Sequence, residues 1–317
     1  MAKLQSTEIV GVANRPTTIC SNTMCIWFDT TNLKTVISYC GNVGAWSAGG
    51  VLITFRSCLA GAGTQNEGLA AGGYGQFGAK LSCTEEYNGT SWSAGGALII
   101  LRQNLAGAGS QNVGLVMGGF STNVPVSCTE EYNGTSWSTG GALITGRYHL
   151  AGAGTQNEGL AVGGIINTVV TCTEEYNGTS WSAGGALICE RYILAGAGTQ
   201  NSGLAAGAVT QGGIATDEYN GTSWSVGGVL ITPRNSQSAG AGTQNDAFLA
   251  GGNVYGNTEE YNGTSWTAGG ALITVRGGLA GAGTPNAGLV MGGRTNTIVC
   301  CTEEYNKSLQ IVDSILK

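Results

Sequence analysis

One unit of 42–46 residues recurs along this 317-residue chain, and the recurrence limits the fold more than any other feature does. Its marker is a tryptophan in a fixed context: Trp46, Trp92, Trp137, Trp181, Trp224 and Trp266, spaced by 46, 45, 44, 43 and 42 residues. Around these tryptophans the chain runs roughly Thr-Glu-Glu-Tyr-Asn-Gly-Thr-Ser-Trp-Ser-x-Gly-Gly-Ala-Leu-Ile. After an arginine it continues Leu-Ala-Gly-Ala-Gly-Thr-Gln-Asn-x-Gly-Leu-Ala-x-Gly-Gly. A unit of that length with several short strand signals predicts one four-stranded blade of a β-propeller.

Composition removes the competing classes. Glycine fills 56 of 317 positions, too many for long helices, because each glycine inside a helix costs up to about 1 kcal/mol relative to alanine. Collagen needs a Gly-X-Y period and abundant proline, and this chain has four prolines and no such period. An apolar content of 42% is enough to bury a core, which argues against disorder. A net charge of −6 argues against nucleic acid as a partner, since phosphate neutralisation needs clustered Lys and Arg. The start, Met1 to Glu8, lacks the apolar run of a signal peptide, and no stretch reaches the length of a membrane span. A soluble all-β protein made in the cytoplasm, without membrane insertion, is the expectation.

Within a unit, the small residues of Leu105–Gly109 predict an innermost strand and Gly114–Met117 a second, ending at Gly118-Gly119. Cys128–Tyr132 predicts a third. Asn133-Gly134 reads as a type I′ hairpin, and a fourth strand starts near Trp137 and runs past the next Gly-Gly. Six inner-strand segments begin near Ala60, Ala106, Ala151, Ala195, Ala239 and Ala280. The last unit stops after Tyr305-Asn306 without a tryptophan, while the first opens on Trp46 without a good Thr-Glu-Glu-Tyr. A fourth strand from the N-terminal side therefore completes the sixth blade and removes an exposed edge. The predicted division is a β-rich segment over 1–45, a six-bladed propeller of antiparallel blades over 46–306, and a C-terminal tail over 307–317.

The glycine doublet, the tyrosine, the tryptophan and the arginine, as in Gly118-Gly119, Tyr132, Trp137 and Arg147, together resemble the Kelch repeat. The resemblance spans about five sixths of the chain and implies a Kelch-type propeller. Two departures are the short Tyr-Asn-Gly-Thr-Ser-Trp segment and Gly207-Ala208 in place of one doublet, which predicts a distorted fourth blade. Cys25–Asn32, followed by Val36–Tyr39, looks like the Trp-Tyr-Asp-Thr-Thr-Asn stretch of bacteriophage tail-fibre and other virion proteins. The repeated Tyr-Asn-Gly-Thr-Ser-Trp arrays also look like repeat proteins of phage. That resemblance implies a short hairpin in an attachment module.

Candidate chemistry is sparse. The pairs Glu85-Glu86, Glu130-Glu131, Glu174-Glu175, Asp217-Glu218, Glu259-Glu260 and Glu303-Glu304 hold 12 of the 19 acids. Neighbours on a strand point to opposite faces, so the two members of a pair cannot share a substrate. With one arginine per unit (Arg56, Arg102, Arg147, Arg191, Arg234 and Arg276), they predict six equivalent salt bridges or interblade hydrogen bonds. Catalysis needs one differentiated site rather than six copies, which favours a structural role. His149 is the only histidine, so a histidine-rich metal centre is excluded, and a loop residue exposed to solvent is the plain expectation. Copper oxidases built on Kelch propellers use two histidine ligands, which this chain lacks. No cofactor or metal is expected. Cys83, Cys128, Cys172 and Cys301 recur at one place in separate blades, too far apart for disulfides, and read as small buried hydrophobes. Cys20 and Cys25 stay open as a pair or metal ligands. Asn-Gly-Thr at Asn88, Asn133, Asn177, Asn220 and Asn262 matches a glycosylation acceptor, but a hairpin turn accounts for it.

Variation between units is concentrated after the doublet and after the arginine. Both sets should lie on one face of the disc, with the near-constant hairpin tips on the other. Tyr74, Phe77, Phe120, Asn123, Tyr148, His149, Tyr192, Asn235 and Tyr255 are the candidate binding residues on that face. Their aromatic and amide groups suit a sugar or protein partner. The functional expectation is a non-enzymatic virion structural protein: a fibre, neck or capsid-decoration propeller that binds other virion proteins through 1–45. Its loops would meet a host glycan, a protein receptor or neighbouring subunits, and a homo-oligomer stays open. The alternative is a free Kelch-type carbohydrate-binding or protein-interaction propeller.

Overall fold

The computed structural model describes residues 9–10, 24–29, 34–207, 211–252 and 256–315. Contacts divide the chain into two compact units, Trp46–Asn306 and a second formed by Met1–Ala45 with Lys307–Lys317. The first is an all-β propeller of six four-stranded antiparallel blades. Blade 1 pairs Ala60–Gly63, Gly68–Ala71, Thr84–Tyr87 and Trp92–Ala94 in that order from the axis outward, and blades 2 to 5 repeat the order. In blade 6 the inner strands are Ala280–Thr284 and Ala287–Met291. The third strand, beginning at Thr302, is bordered by the strand that ends at Ala48, so the two ends of the unit share one sheet. Gly49 N–H donates to the Thr302 carbonyl at 2.9 Å within that junction.

The Ala-Gly-Ala-Gly strands line the axis because nothing larger fits. A Cβ on Gly107 would lie 2.6 Å from the Gly61 carbonyl oxygen of the previous blade, and the same approach recurs round the ring. Further out, each blade interface buries a tyrosine, a tryptophan, leucines and alanines from two blades, as with Leu69, Leu98, Leu105, Val116, Tyr132 and Trp137. The indole N–H of each of the six repeat tryptophans is also spoken for. Trp137 Nε1 donates to Thr84 Oγ1 of the preceding blade at 2.9 Å, and Trp92 donates likewise to Thr302, across the closure.

The paired acids separate as strand geometry demands. The first acid of each pair forms a buried ion pair with its own blade's arginine: Arg56–Glu85, Arg102–Glu130, Arg147–Glu174, Arg191–Asp217, Arg234–Glu259 and Arg276–Glu303. The second accepts from the tyrosine of the next blade. Tyr176 Oη donates to Glu131 at 2.6 Å, and Tyr87 donates to Glu304 at 2.6 Å to close the ring. Burial first, and the adjoining carboxylate second, push Tyr87, Tyr132, Tyr176 and Tyr219 up to about 12, so these hydroxyls stay protonated donors at neutral pH.

Several local expectations need correction. The Asn-Gly turn is not type I′: only the glycine, such as Gly89 at φ 84°, has positive φ. The loop has four residues because Asn88 Oδ1 accepts from the Thr90 and Ser91 N–H groups, which shapes the turn by side chain instead. The fourth strand is three residues long and stops before the Gly-Gly, as in Trp137–Thr139. Gly141 there lies so close to the Thr179 carbonyl that a Cβ would be 2.1 Å from its oxygen. The recurring cysteines are half-buried rather than core, with Cys83 Sγ accepting from Arg56 at 3.1 Å. Blade 4 has regular strands over Ala195–Thr199 and Ser202–Ala206. Ala208 and Cys20 lie outside the described residues.

In the second unit, Met24–Asp29 pairs antiparallel with the start of Lys34–Ala48, in register from Met24↔Tyr39 to Asp29↔Lys34. Ile9 and Val10 pair parallel with Ile26 and Trp27. The strand beginning at Thr302 continues to Ile315.

Blade 4 is the one blade whose arginine meets aspartate. The glutamates of the other blades reach past the arginine to two backbone N–H groups, as Glu130 does at Ile99 (2.7 Å) and Ile100 (3.2 Å). Asp217 is one methylene shorter, and burial pushes its carboxyl up against the pull of Arg191. Asp217→Glu should therefore raise the free energy of unfolding by about 1 kcal/mol, the worth of a regained hydrogen bond, in urea or thermal melts. A neutral or destabilising result would show that blade 4 is packed around the shorter acid.

Candidate functional site

The two variable segments of each unit meet on one face, because they pair with each other. Arg56-Ser57 pairs with Tyr74-Gly75, and single bridges join Gln103 to Phe120, Tyr148 to Ile165, and Gly277 to Arg294. Beneath them the arginines form a rigid floor. Arg102 is buried and donates to the Gly118 (3.2 Å) and Cys128 (2.7 Å) carbonyls besides its glutamate. The opposite face carries the constant tips, and their constancy has a mechanical reason. Gln111 Nε2 donates to the Gly68 (3.0 Å) and Tyr87 (2.6 Å) carbonyls of the preceding blade, and Gln65, Gln156, Gln200 and Gln244 do the same.

On the variable face the structure brings five of the nine candidate residues together. Phe120 and Tyr148 stack with centroids 4.9 Å apart, Tyr148 meets His149 at 5.0 Å, and His149 meets Tyr192 at 6.3 Å. This aromatic arc crosses blades 2, 3 and 4. Lys80 of blade 1 joins it, with Nζ 5.1 Å from the Phe120 ring and 3.4 Å from Asn123 Oδ1. Lys80 was not foreseen, because a lone lysine in a variable loop carries no pattern. Tyr74 is half-buried within its own loop, Phe77 and Asn235 are exposed apart from the arc, and Tyr255 lies outside the described residues.

His149 is not the exposed loop residue expected from sequence. It is largely buried, and burial pushes its imidazole down to about 4. It also has left-handed backbone (φ 56°), shared by Cys58 (55°), Asn104 (55°) and Ile193 (60°), which occupy the same place two residues after each arginine. These residues are tied hand to hand round the axis. Asn104 N–H donates to Cys58 O at 2.8 Å, His149 to Asn104 at 2.9 Å, Ile193 to His149 at 2.9 Å, Gly278 to Gln237 at 2.9 Å, and Cys58 to Gly278 at 2.7 Å. Gln237 is displaced by one residue relative to the others because blade 5 carries an extra residue between Arg234 and Ala239.

Each blade also exposes an isoleucine: Ile53, Ile99, Ile144, Ile188, Ile231 and Ile273. In five blades its backbone N–H donates to the acid of the arginine pair at 2.7 Å, so the backbone fixes the place and the side chain is left outward. Among the described residues no three His, Cys, Asp or Glu side chains converge to hold a metal. No helix of the described residues is long and apolar enough to cross a membrane.

Among solved structures, that of YjhT matches this fold with a TM-score of 0.68 at 13% identity, covering 83% of this chain and 100% of that one. At that identity the likeness shows the propeller fold alone. No protein-family profile and no curated protein matches the chain.

The depressed His149 sets a pH dependence with a definite sign. Its folded-state value of about 4 lies below the unfolded value of about 6.5, so its contribution is complete above that value. The contribution is lost as pH falls from 6.5 towards 4. Urea melts across this range should fall more steeply for the native chain than for His149→Gln. Parallel profiles would show that His149 is solvated.

Proposed function

We propose that this chain is a non-enzymatic structural protein of a virus particle, of the phage type, assembled in the host cytoplasm. In this reading residues 1–45 dock to other virion proteins, and a Kelch-type propeller presents its variable-loop face to a host-surface glycan, a protein receptor or neighbouring subunits. The observation that carries the display role is the division of labour between the two faces. One face repeats its clamps blade after blade, and the other gathers the differences between units into touching side chains from several blades. The attachment role rests on the likeness of Cys25–Asn32 and Val36–Tyr39 to virion proteins, together with the pairing of Met24–Asp29 with Lys34–Tyr39. The absence of enzymatic activity is inferred from the acids, which recur as six structural pairs rather than as one differentiated site.

A free carbohydrate-binding or protein-interaction propeller is the second reading, favoured by the Phe120–Tyr148–His149–Tyr192 arc. Particle association separates the two. The native chain should co-sediment with nuclease-treated particles at fixed copy number, and a chain lacking residues 1–36 should stay soluble while keeping its cooperative melt. A native chain that remains in the soluble fraction would give precedence to the free propeller.

A further inference from the structure

The ring of residues at the axial mouth holds polar atoms that the scaffold leaves without partners. Ser57 Oγ, Asn104 Oδ1, His149 Nδ1 and Gln237 Oε1 are all buried and make no hydrogen bond to protein, and they come from the variable segments of blades 1, 2, 3 and 5. Ser57 is fully buried and Asn104 is 7% exposed. An unsatisfied buried polar group costs about 1–3 kcal/mol, and outside the arginine–acid pairs these four are the buried side-chain atoms left without a partner among the described residues. The backbone hydrogen bonds place them as neighbours. Cys58, Asn104 and His149 are consecutive in the ring, and Gly278 joins Gln237 to Cys58. Below the ring lies a pit of about 70 Å³ on the axis, lined by Leu59, Leu105, Leu150, Leu194, Gln237 and Ser238 among others.

We propose that this axial mouth is a binding site for a small neutral polyhydroxylated ligand, a monosaccharide unit. The donor set decides the class. Asn104 and Gln237 offer carbonyl acceptors, the Ser57 hydroxyl gives and accepts, and the neutral imidazole of His149 completes a set with no formal charge. A cation would lose its hydration without meeting a carboxylate there, and an anion would face carbonyl oxygens. Hydroxyl groups donate to those acceptors at no charge cost. The pit is too small for a whole sugar ring and takes one substituent, so the ring lies over the mouth. His149 belongs both to the polar ring and to the aromatic arc, which places the Tyr148 face beside the same opening. Aromatic faces pack on the apolar side of a sugar while amides fix its hydroxyls.

This inference deepens the loop-face reading by naming the ligand class, and it does not depend on attachment to a particle. Because His149 is the only histidine in the chain, one ring resonance reports on the site. The experiment titrates the full-length, histidine-labelled chain with glucose, galactose and N-acetylglucosamine in separate series, following that resonance by NMR. At least one sugar should shift it saturably, with a dissociation constant on the order of 1 mM. Asn104→Leu and Gln237→Leu should each weaken that binding about tenfold or more, as expected when a sugar hydroxyl loses its partner. Gln237→Leu should melt at or above the native temperature, because it removes an unsatisfied polar group, and Asn104→Leu should melt lower, because its left-handed backbone (φ 55°) disfavours leucine; a cooperative melt shows that each folds. A resonance unmoved by all three sugars, or binding equal in the variants, would overturn the axial site. Particle co-sedimentation reads attachment through residues 1–45 separately, so failure of the axial site and failure of the virion reading are distinguishable.

Discussion

Two carboxylates on successive residues cannot serve one partner, and the propeller is built on that fact. Within each unit the first acid ties the incoming chain to its own blade through a buried arginine, and the second ties the blade to its neighbour through a tyrosine hydroxyl. The two links differ in kind. The ion pair is fully desolvated, and taking away one partner would leave a buried charge, a loss of about 3–5 kcal/mol. The tyrosine bond is a charge-assisted hydrogen bond between blades that are otherwise joined by apolar packing, the tryptophan–threonine bonds and the glutamine clamps. Strung through six blades, the alternation makes the disc a chain of identical joints that closes on itself where Tyr87 reaches Glu304.

Repetition on this scale leaves the departures conspicuous. Blade 6 has Pro285 where the other five have the clamping glutamine, so its tip loses the two carbonyl contacts to blade 5. At the same seam Phe248 stands where the other blades carry leucine, and its ring lies 6.0 Å from Trp46 and 6.4 Å from Tyr305. Added aromatic area there offsets the missing clamp. That seam is also where a strand from the N-terminal side enters the ring, so packing carries more of the joint than it does elsewhere.

The architecture could be read from residues because it was written many times over. Six tryptophans gave the blade count, six arginine–acid pairs gave the ion pairs, and the unit truncated at Asn306 gave the closure. Features set by a single side chain's hydrogen bond were harder. The asparagine that shapes each Asn-Gly-Thr-Ser loop through its own Oδ1 looks, as letters, like a type I′ turn. The axial ring was harder still. Cys58, Asn104, His149, Ile193, Gln237 and Gly278 share no chemistry, and only their position two residues after the arginine, slipped by one in blade 5, unites them. His149 was misplaced for the same reason: its burial comes from the ring, which no residue type announces.

The central claim is that the second acid of each pair links one blade to the next. The measurement closest to it is a double-mutant cycle on Tyr176→Phe and Glu131→Gln, read as free energy of unfolding in urea. A link between blades predicts a coupling energy of about 1–2 kcal/mol, with the double variant less damaged than the sum of the singles. Strictly additive losses would show that hydroxyl and carboxylate act separately, and would leave the ring held by apolar packing, the tryptophan–threonine bonds and the glutamine clamps.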